Sequence, residues 1–385
     1  MATMTKHLPA SATVAGATPL LAFVSAGNVL LGHGQLATLP RGPAATLGAR
    51  VGDFFRAAGP EAVLAGALPF AREAADYLVQ PLQISRALPA APAWAPLRWS
   101  LRHEPDAAGY AATVQRALDL MARPGAEPLT KIVLSRSLIA RAERPIDLGA
   151  LLPRLAADPA VTAFIVPLPD AGGAPRVLAG ATPELLLAKQ GRQIRSHPLA
   201  GSARRQADAT ADASAAAALA RSDKDRREHV IVADFILDTL APFCRRLSAP
   251  EGTTLFKTRS MWHLGTAIEG ELKDEGISSA ELAALLHPTP AVCGLPRERA
   301  ARLIGEIEPH DRGFYAGAVG WCDGRGDGAW HVSIRCAEIA GEQARLYAGA
   351  GIVPGSDPWA EAAETGAKYA ALLAALGIEM EEKRP

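Results

Sequence analysis

The stretch FYAGAVGWCDGRGDGAWHVSIRCAEIAGEQARLYAGAGIV (residues 314–353) decides the fold. Three runs rich in β-branched and aromatic residues, 314–322, 329–339 and 344–353, are separated by DGRGDG (323–328) and AGE (340–342). Strand-like runs punctuated by short Gly/Asp-rich turns predict an antiparallel meander. In the middle run Trp330, Val332, Ile334 and Cys336 are expected on one face, and His331, Ser333 and Arg335 on the other. A helix is predicted to follow at Asp357-Pro358, with Asp as N-cap and Pro at the first helical position.

Upstream, 131–138 (KIVLSRSL), 162–168 (TAFIVPL) and 176–180 read as further strands. Residues 226–240 (RREHVIVADFILDTL) space Val232, Ile236 and Leu240 by four, which suits an amphipathic helix. The alanine-rich run 207–220 is a strong helix former. Strands and helices mixed in this way imply an α+β fold with much antiparallel sheet.

Length alone, 385 residues, suggests two or three domains. The proline-rich stretch ALPAAPAWAP (87–96) is the most linker-like, and is read as a loop within one body. The 40 basic and 40 acidic residues cancel, which gives no electrostatic reason to expect nucleic acid or a membrane as partner. The N-terminal MATMTKHLPASATVAGATPLLAF makes a poor signal peptide, and no apolar run is long enough to span a bilayer. Cys244, Cys293, Cys322 and Cys336 are widely spaced and form no CxxC pair, so they read as reduced, buried thiols of a cytoplasmic protein.

Several residues carry possible chemistry. Glu361, Glu364 and Lys368 fall at i, i+3 and i+7, on one face of the last predicted helix. That face is either solvated, with a Glu–Lys i,i+4 pair, or part of a site. It directly follows YAGAGIVP (347–354), whose glycines let a ligand approach the backbone, and two carboxylates beside such a turn suit Mg²⁺. Asp225 and Glu228 in SDKDRREH form a second i, i+3 acidic pair, read as a helix start or as further ligands. Arg335 is either a cross-strand ion-pair partner or the anchor of a substrate carboxylate. Lys131 either snorkels from a sheet edge or, in an apolar site, loses proton affinity and serves as a base. Glu184 is either a first-turn helix residue or a buried acid that holds a proton for a leaving group. His197 and His263 lack metal-site spacing.

Ten ordered pieces, KIVLSR, GATPELLL, SHPLAGSARR, SDKDRREH, MWHLGT, LLHPTPAVCGLP, RGFYAGAVGW, WHVSIRCAEI, LYAGAGIVPGSDP and EAAETGAK, span residues 131–368. In them the chain resembles the chorismate-utilising enzymes of menaquinone, siderophore and tryptophan biosynthesis. HPTPA with SHPLAGS is most similar to the isochorismate synthases, particularly of the siderophore branch. The resemblance implies two stacked antiparallel sheets wrapped by helices in one large unit. Residues 1–385 then form a single domain, with 1–120 matching weakly and 125–378 motif-dense, which overrides the expectation from length. It also implies a monomer that binds chorismate, a small dianion, and requires Mg²⁺.

Carried onto this sequence, the resemblance makes Lys131 the base that activates water for attack at ring C2. Glu184 becomes the acid that protonates the departing C4 hydroxyl. Glu228 and Glu364 would ligate Mg²⁺, with Glu361, and also Asp225, acting through water. Arg335, Lys368 and the amides around Gly349 and Gly351 would hold the substrate carboxylates beside Tyr315. Gly201, Ser202 and His263 would line the pocket. Ammonia-using relatives carry glutamine where Lys131 stands, so the lysine favours water as nucleophile. Salicylate-forming relatives tend to carry threonine where Ala291 stands, so Ala291 favours release of isochorismate. The expected activity is therefore isochorismate synthesis, feeding siderophore (2,3-dihydroxybenzoate or salicylate) or menaquinone biosynthesis. A salicylate synthase that also eliminates pyruvate is the alternative. A silent chorismate-binding protein is disfavoured, because every matched catalytic position holds a competent residue.

Overall fold

The computed structural model describes residues 18–88, 90, 92–123, 128–171 and 173–379. The N-terminal residues 1–17, read above as a poor signal peptide, and Pro89 and Ala91 of the proline-rich stretch lie outside the described residues.

Among the described residues seventeen strands form one hydrogen-bonded network, with antiparallel pairing throughout, and three more form a small separate sheet. The large network is best followed as a ribbon that doubles back. One half runs from Cys244–Ser248 through Ile268–Leu272, Gln193–His197, Leu185–Gln190, Gly328–Val332, Ala318–Asp323, Val63–Leu68 and Tyr77–Ser85 to Asn28–Thr38. The tight hairpin to Leu21–Ser25 then starts the other half. This continues through Thr162–Ala171, Ala174–Thr182, Cys336–Ala340, Gln343–Ile352 and Lys131–Ala142 to Trp99–Glu104, with the short Gly294–Leu295 also paired on the start of Lys131–Ala142. The small sheet joins Leu199–Arg204, Met261–Thr266 and Thr253–Lys257.

Burial explains the doubling. In Thr162–Ala171, Phe164, Val166 and Leu168 enter a core shared with Leu64, Leu187, Ile194 and Trp330 of the other half. Ala163 and Ile165, pointing the opposite way, enter a second core. That second core is covered by Leu151, Leu152 and Leu155 of helix Leu148–Leu155 and by Tyr369, Leu372, Leu373 and Leu376 of helix Pro358–Leu376. A strand apolar on both faces is what a layer between two cores demands.

The helices match their sequence signals. Helix Asp223–Leu240 buries Val232, Ile236 and Leu240 at the predicted spacing, and its Ser222 N-cap accepts the Asp225 N–H at 3.3 Å. Helix Pro358–Leu376 starts behind Asp357, which accepts the Ala360 N–H at 2.7 Å, and stops at Gly377 in the left-handed region. The alanine-rich run forms helix Ala209–Arg221.

The C-terminal meander differs from expectation. Its middle run is two strands that do not pair with each other: Gly328–Val332 lies between Ala318–Asp323 and Leu185–Gln190, while Cys336–Ala340 lies between Gln343–Ile352 and Ala174–Thr182. Between them the chain crosses from one half of the folded ribbon to the other. At the crossing Arg335 takes φ +52°, which ends any strict alternation of faces. Ser333 ties the crossing down, donating its N–H to Gly317 O at 3.0 Å and its hydroxyl to Phe314 O at 2.6 Å. The first run accordingly begins at Ala318 rather than 314, because 314–317 is a turn in which Ala316 has φ +56°.

Candidate active site

The crossing opens on a cleft lined by parts of the chain far apart in sequence. Lys131–Ala142, the 182–184 loop, Leu199–Arg204, the start of helix Asp223–Leu240, Arg335, Gln343–Ile352 and helix Pro358–Leu376 all contribute to it. Every lining residue lies after residue 130.

Lys131 is wholly buried, and its Nζ lies 3.0 Å from Glu228 Oε1. The contact is an ion pair without hydrogen-bond alignment. The lysine is thus neither at an exposed edge nor alone in apolar surroundings; it has a carboxylate partner. Gly351 makes the pairing possible, since a Cβ there would overlap the Glu228 carboxylate and crowd Lys131 Cε at 3.3 Å.

Glu184 sits in the loop between Ala174–Thr182 and Leu185–Gln190, so the first-turn helix reading does not apply. It is 2% exposed, and burial pushes its carboxyl up to about 8. A hydrogen bond from the Leu199 backbone and the charges of Lys131, Arg335 and Lys368 pull the other way without prevailing. The loop is held by Thr182 Oγ1 donating to Val332 O at 2.7 Å and by the Val332 N–H donating to Glu184 O at 3.1 Å. Here is an acid that keeps its proton at neutral pH.

Cations face it. Burial lowers the Arg335 guanidinium from its ordinary value, against the opposing pull of Tyr315, Glu364 and Glu184. Among the described residues this guanidinium makes no hydrogen bond or ion pair. Lys368 Nζ donates to Gly349 O at 2.8 Å and pairs with Glu364 at 2.5 Å. Gly349 leaves room for the Tyr315 hydroxyl, 3.0 Å from where a Cβ would stand. Tyr315 is buried and stacks on Tyr347, with ring centroids 4.7 Å apart.

The acids form the third wall. Burial works to raise Glu364, but Lys368, Lys224 and the Ser202 hydroxyl at 3.3 Å outweigh it and leave the carboxyl below its usual range. Glu361 is buried outside the cleft lining and pairs with Lys224 at 2.6 Å; burial, aided by repulsion from Glu364, raises it. Asp225 is raised by burial and by the negative charges of Glu228 and Glu364. It packs on Gly201, whose φ of +77° and missing Cβ admit it. The Gly201 carbonyl accepts from the ring of His263, which is 4% exposed, held neutral by burial, and has no partner at Nε2. Ala291 lines the cleft, its N–H donating to Thr289 Oγ1 at 3.3 Å.

The structure therefore brings thirteen of the fifteen expected residues, Asp225 included, to one cleft, with Lys131 behind Glu228 and Glu361 behind Lys224. It does not present the acids as a ready-made metal shell. Among the described residues no three His, Cys, Asp or Glu side chains gather as metal ligands, and Glu228, Glu361 and Glu364 each hold a lysine instead. Residue-level reading missed Lys224 and Tyr347. Both lie inside quoted motifs, and the acids flanking Lys224 were the available signal.

Comparison with known proteins follows the same lines. Residues 72–377 match the profile of the family described as chorismate binding enzyme. The chain is 41% identical over 352 residues to the isochorismate synthase DhbC of Bacillus subtilis (strain 168), covering 87% of this chain and 86% of that protein. It is 44% identical over 275 residues to the isochorismate synthase EntC of Escherichia coli (strain K12), covering 71% and 68%. In three dimensions it is similar to the crystal structure of the Bacillus anthracis protein assigned as a 2,3-dihydroxybenzoate-specific isochorismate synthase, DhbC. The TM-score is 0.87 at 39% identity, over 94% of this chain and 97% of that one.

Proposed function

The chain belongs to the chorismate binding enzyme family, and from that membership we propose that it is an isochorismate synthase. It would isomerise chorismate to isochorismate by adding water at C2 and losing the C4 hydroxyl, as a monomeric, single-domain cytoplasmic enzyme. The product would feed siderophore (2,3-dihydroxybenzoate or salicylate) or menaquinone biosynthesis. The observation that carries the reading is Glu184: a buried carboxylic acid, protonated through neutral pH, in one cleft with Arg335 and Lys368 and beside Lys131.

The reaction needs one proton taken and one given. Glu184 is suited to give, because its proton is retained until a leaving hydroxyl offers a better acceptor. Lys131 is the proposed base toward the attacking water. A lysine accepts a proton only in its neutral form, so turnover on this reading includes loss of the Lys131–Glu228 ion pair. Arg335 and Lys368 would orient the two substrate carboxylates, Arg335 by a bidentate fork. Gly349 and Gly351 leave their backbone open to close approach. Gly201, Ser202, His263, Ala291 and Tyr315 would shape the remaining wall.

The acidic wall fits a Mg²⁺ ion. Glu228 and Glu364 both push the Asp225 carboxyl up, and Glu364 does the same to Glu361, so the negative charges adjoin and repel. Oxygen donors of this kind, one or two direct and others through water, are what Mg²⁺ takes. Glu228 and Glu364 would hold it, with Glu361 through water. Bound there, the ion would neutralise a substrate carboxylate.

The test is incubation with chorismate and Mg²⁺, with and without EDTA, followed by chromatography and a pyruvate assay. Isochorismate without pyruvate, lost on chelation, is the expected result. Salicylate with stoichiometric pyruvate would move the enzyme to the alternative activity, and no consumption of chorismate would overturn the proposal.

A further inference from the structure

Arg335, His263 and Pro183 each line two spaces: the cleft described above and a second chamber of about 440 Å³. Its size falls within the range of small-ligand sites, which are mostly apolar with a few placed polar groups. One wall is a stripe of helix Pro358–Leu376, where Ala370, Ala371, Ala374 and Ala375 repeat at i, i+1, i+4 and i+5. Ala370, Ala371 and Ala374 are exposed, so the chamber opens to solvent along this stripe. Alanine methyls at that spacing make a shallow, flat apolar surface, with Leu155 and Val161 completing it.

The charges in the chamber do not balance. Three guanidiniums, Arg154, Arg259 and Arg335, meet one carboxylate, Asp158. Arg154 is spent on the Ala374 and Ala375 carbonyls at the helix end and stacks over Trp94 at 4.8 Å. Asp158 is spent on the N–H groups of Ala160 at 3.0 Å and Arg259 at 2.6 Å. Among the described residues the side chains of Arg259 and Arg335 make no hydrogen bond or ion pair. His263 Nε2, almost fully buried, also lacks a partner. A flat apolar wall with two spare cations calls for an anion with a flat apolar body.

We propose that this chamber is a second ligand site for a planar aromatic monocarboxylate, with its ring on the alanine stripe and its carboxylate on Arg335. Arg259 at the exposed mouth draws the anion in, and His263 Nε2 is free to meet a ring hydroxyl. The consequence for catalysis rests on the role proposed for Arg335: a carboxylate held there from the chamber competes with the substrate for the same guanidinium.

Salicylate is the probe, measured by calorimetric titration and as an inhibitor of chorismate turnover. The wild-type protein is expected to bind one equivalent. Apparent KM should double when free salicylate equals its Kd, with kcat unchanged. Ala371→Trp fills the chamber from an exposed helix position, and should lose both binding and inhibition at wild-type kcat and KM. Ala374→Phe is a second, independent plug should the first misfold. Absence of any binding heat at millimolar salicylate would overturn the proposal. So would inhibition that persists in both plugged variants, which would place salicylate in the catalytic cleft. The titration needs no turnover, so a protein that ignores chorismate but binds salicylate would sink only the proposed function.

Discussion

Lys131 Nζ and Glu228 Oε1 stand 3.0 Å apart, both buried, one on a strand and the other on a helix nearly a hundred residues later. The pair joins the proposed base to a proposed metal ligand, so its removal should be read out in stability and activity separately.

Lys131→Ala is expected to abolish turnover and to destabilise the fold by about 3–5 kcal/mol, since it strands a buried carboxylate. Lys131→Ala combined with Glu228→Gln should recover much of that stability and none of the activity. Chemical denaturation alongside product chromatography checks both; activity surviving in Lys131→Ala would remove the lysine from its role.

Glu184→Gln should lose activity yet gain stability at neutral pH. The folded-state carboxyl titrates near 8, above the ordinary 4.5 of the unfolded chain. Below 4.5 both states are protonated and the burial has no ionisation cost. Between 4.5 and 8 the unfolded chain releases a proton that the folded chain keeps, so stability declines as pH rises and levels off above 8. Glutamine removes this decline, on the order of a few kcal/mol across that window. Denaturation curves at pH 5 and pH 8 should therefore diverge between the two proteins at the higher pH only.

The same acid sets a limit on the rate. With Glu184 as proton donor, kcat/KM is expected to fall as pH rises through about 8. A profile flat to pH 10 would mean that another group donates the proton.

Gly351→Ala tests the close approach beside the ion pair. Its methyl would meet the Glu228 carboxylate, so Glu228 must move. Activity and Mg²⁺ dependence should drop sharply while the neighbouring core side chains of Ala350 and Ile352, on the opposite face of the strand, keep the fold intact. Unchanged kinetics would show that Glu228 does not need its place.

Glu364→Gln is expected to weaken the Mg²⁺ dependence of substrate binding and to release Lys368 from its 2.5 Å contact. An unaltered metal titration would remove Glu364 from the proposed ligand set.

Local signals on the sequence determined the class of fold, and the ordered motifs of the family resemblance marked the candidate site residues. The Asp357-Pro358 helix start, the four-residue spacing in Asp223–Leu240 and the doubly apolar Thr162–Ala171 all act within a few residues, and such short-range preferences survive in any context. Alternation failed at 329–339 because one left-handed residue, Arg335, redirects the chain between the two halves of the ribbon, and no pattern of polar and apolar letters encodes a φ. Only the tertiary structure decided which charges meet. That Glu228 holds Lys131, Glu361 holds Lys224 and Glu184 keeps its proton depends on packing between segments far apart in the chain, 137 residues in the case of Lys224 and Glu361. Burial and charge proximity are properties of that packing, whereas the residues it acts on were already written in the chain.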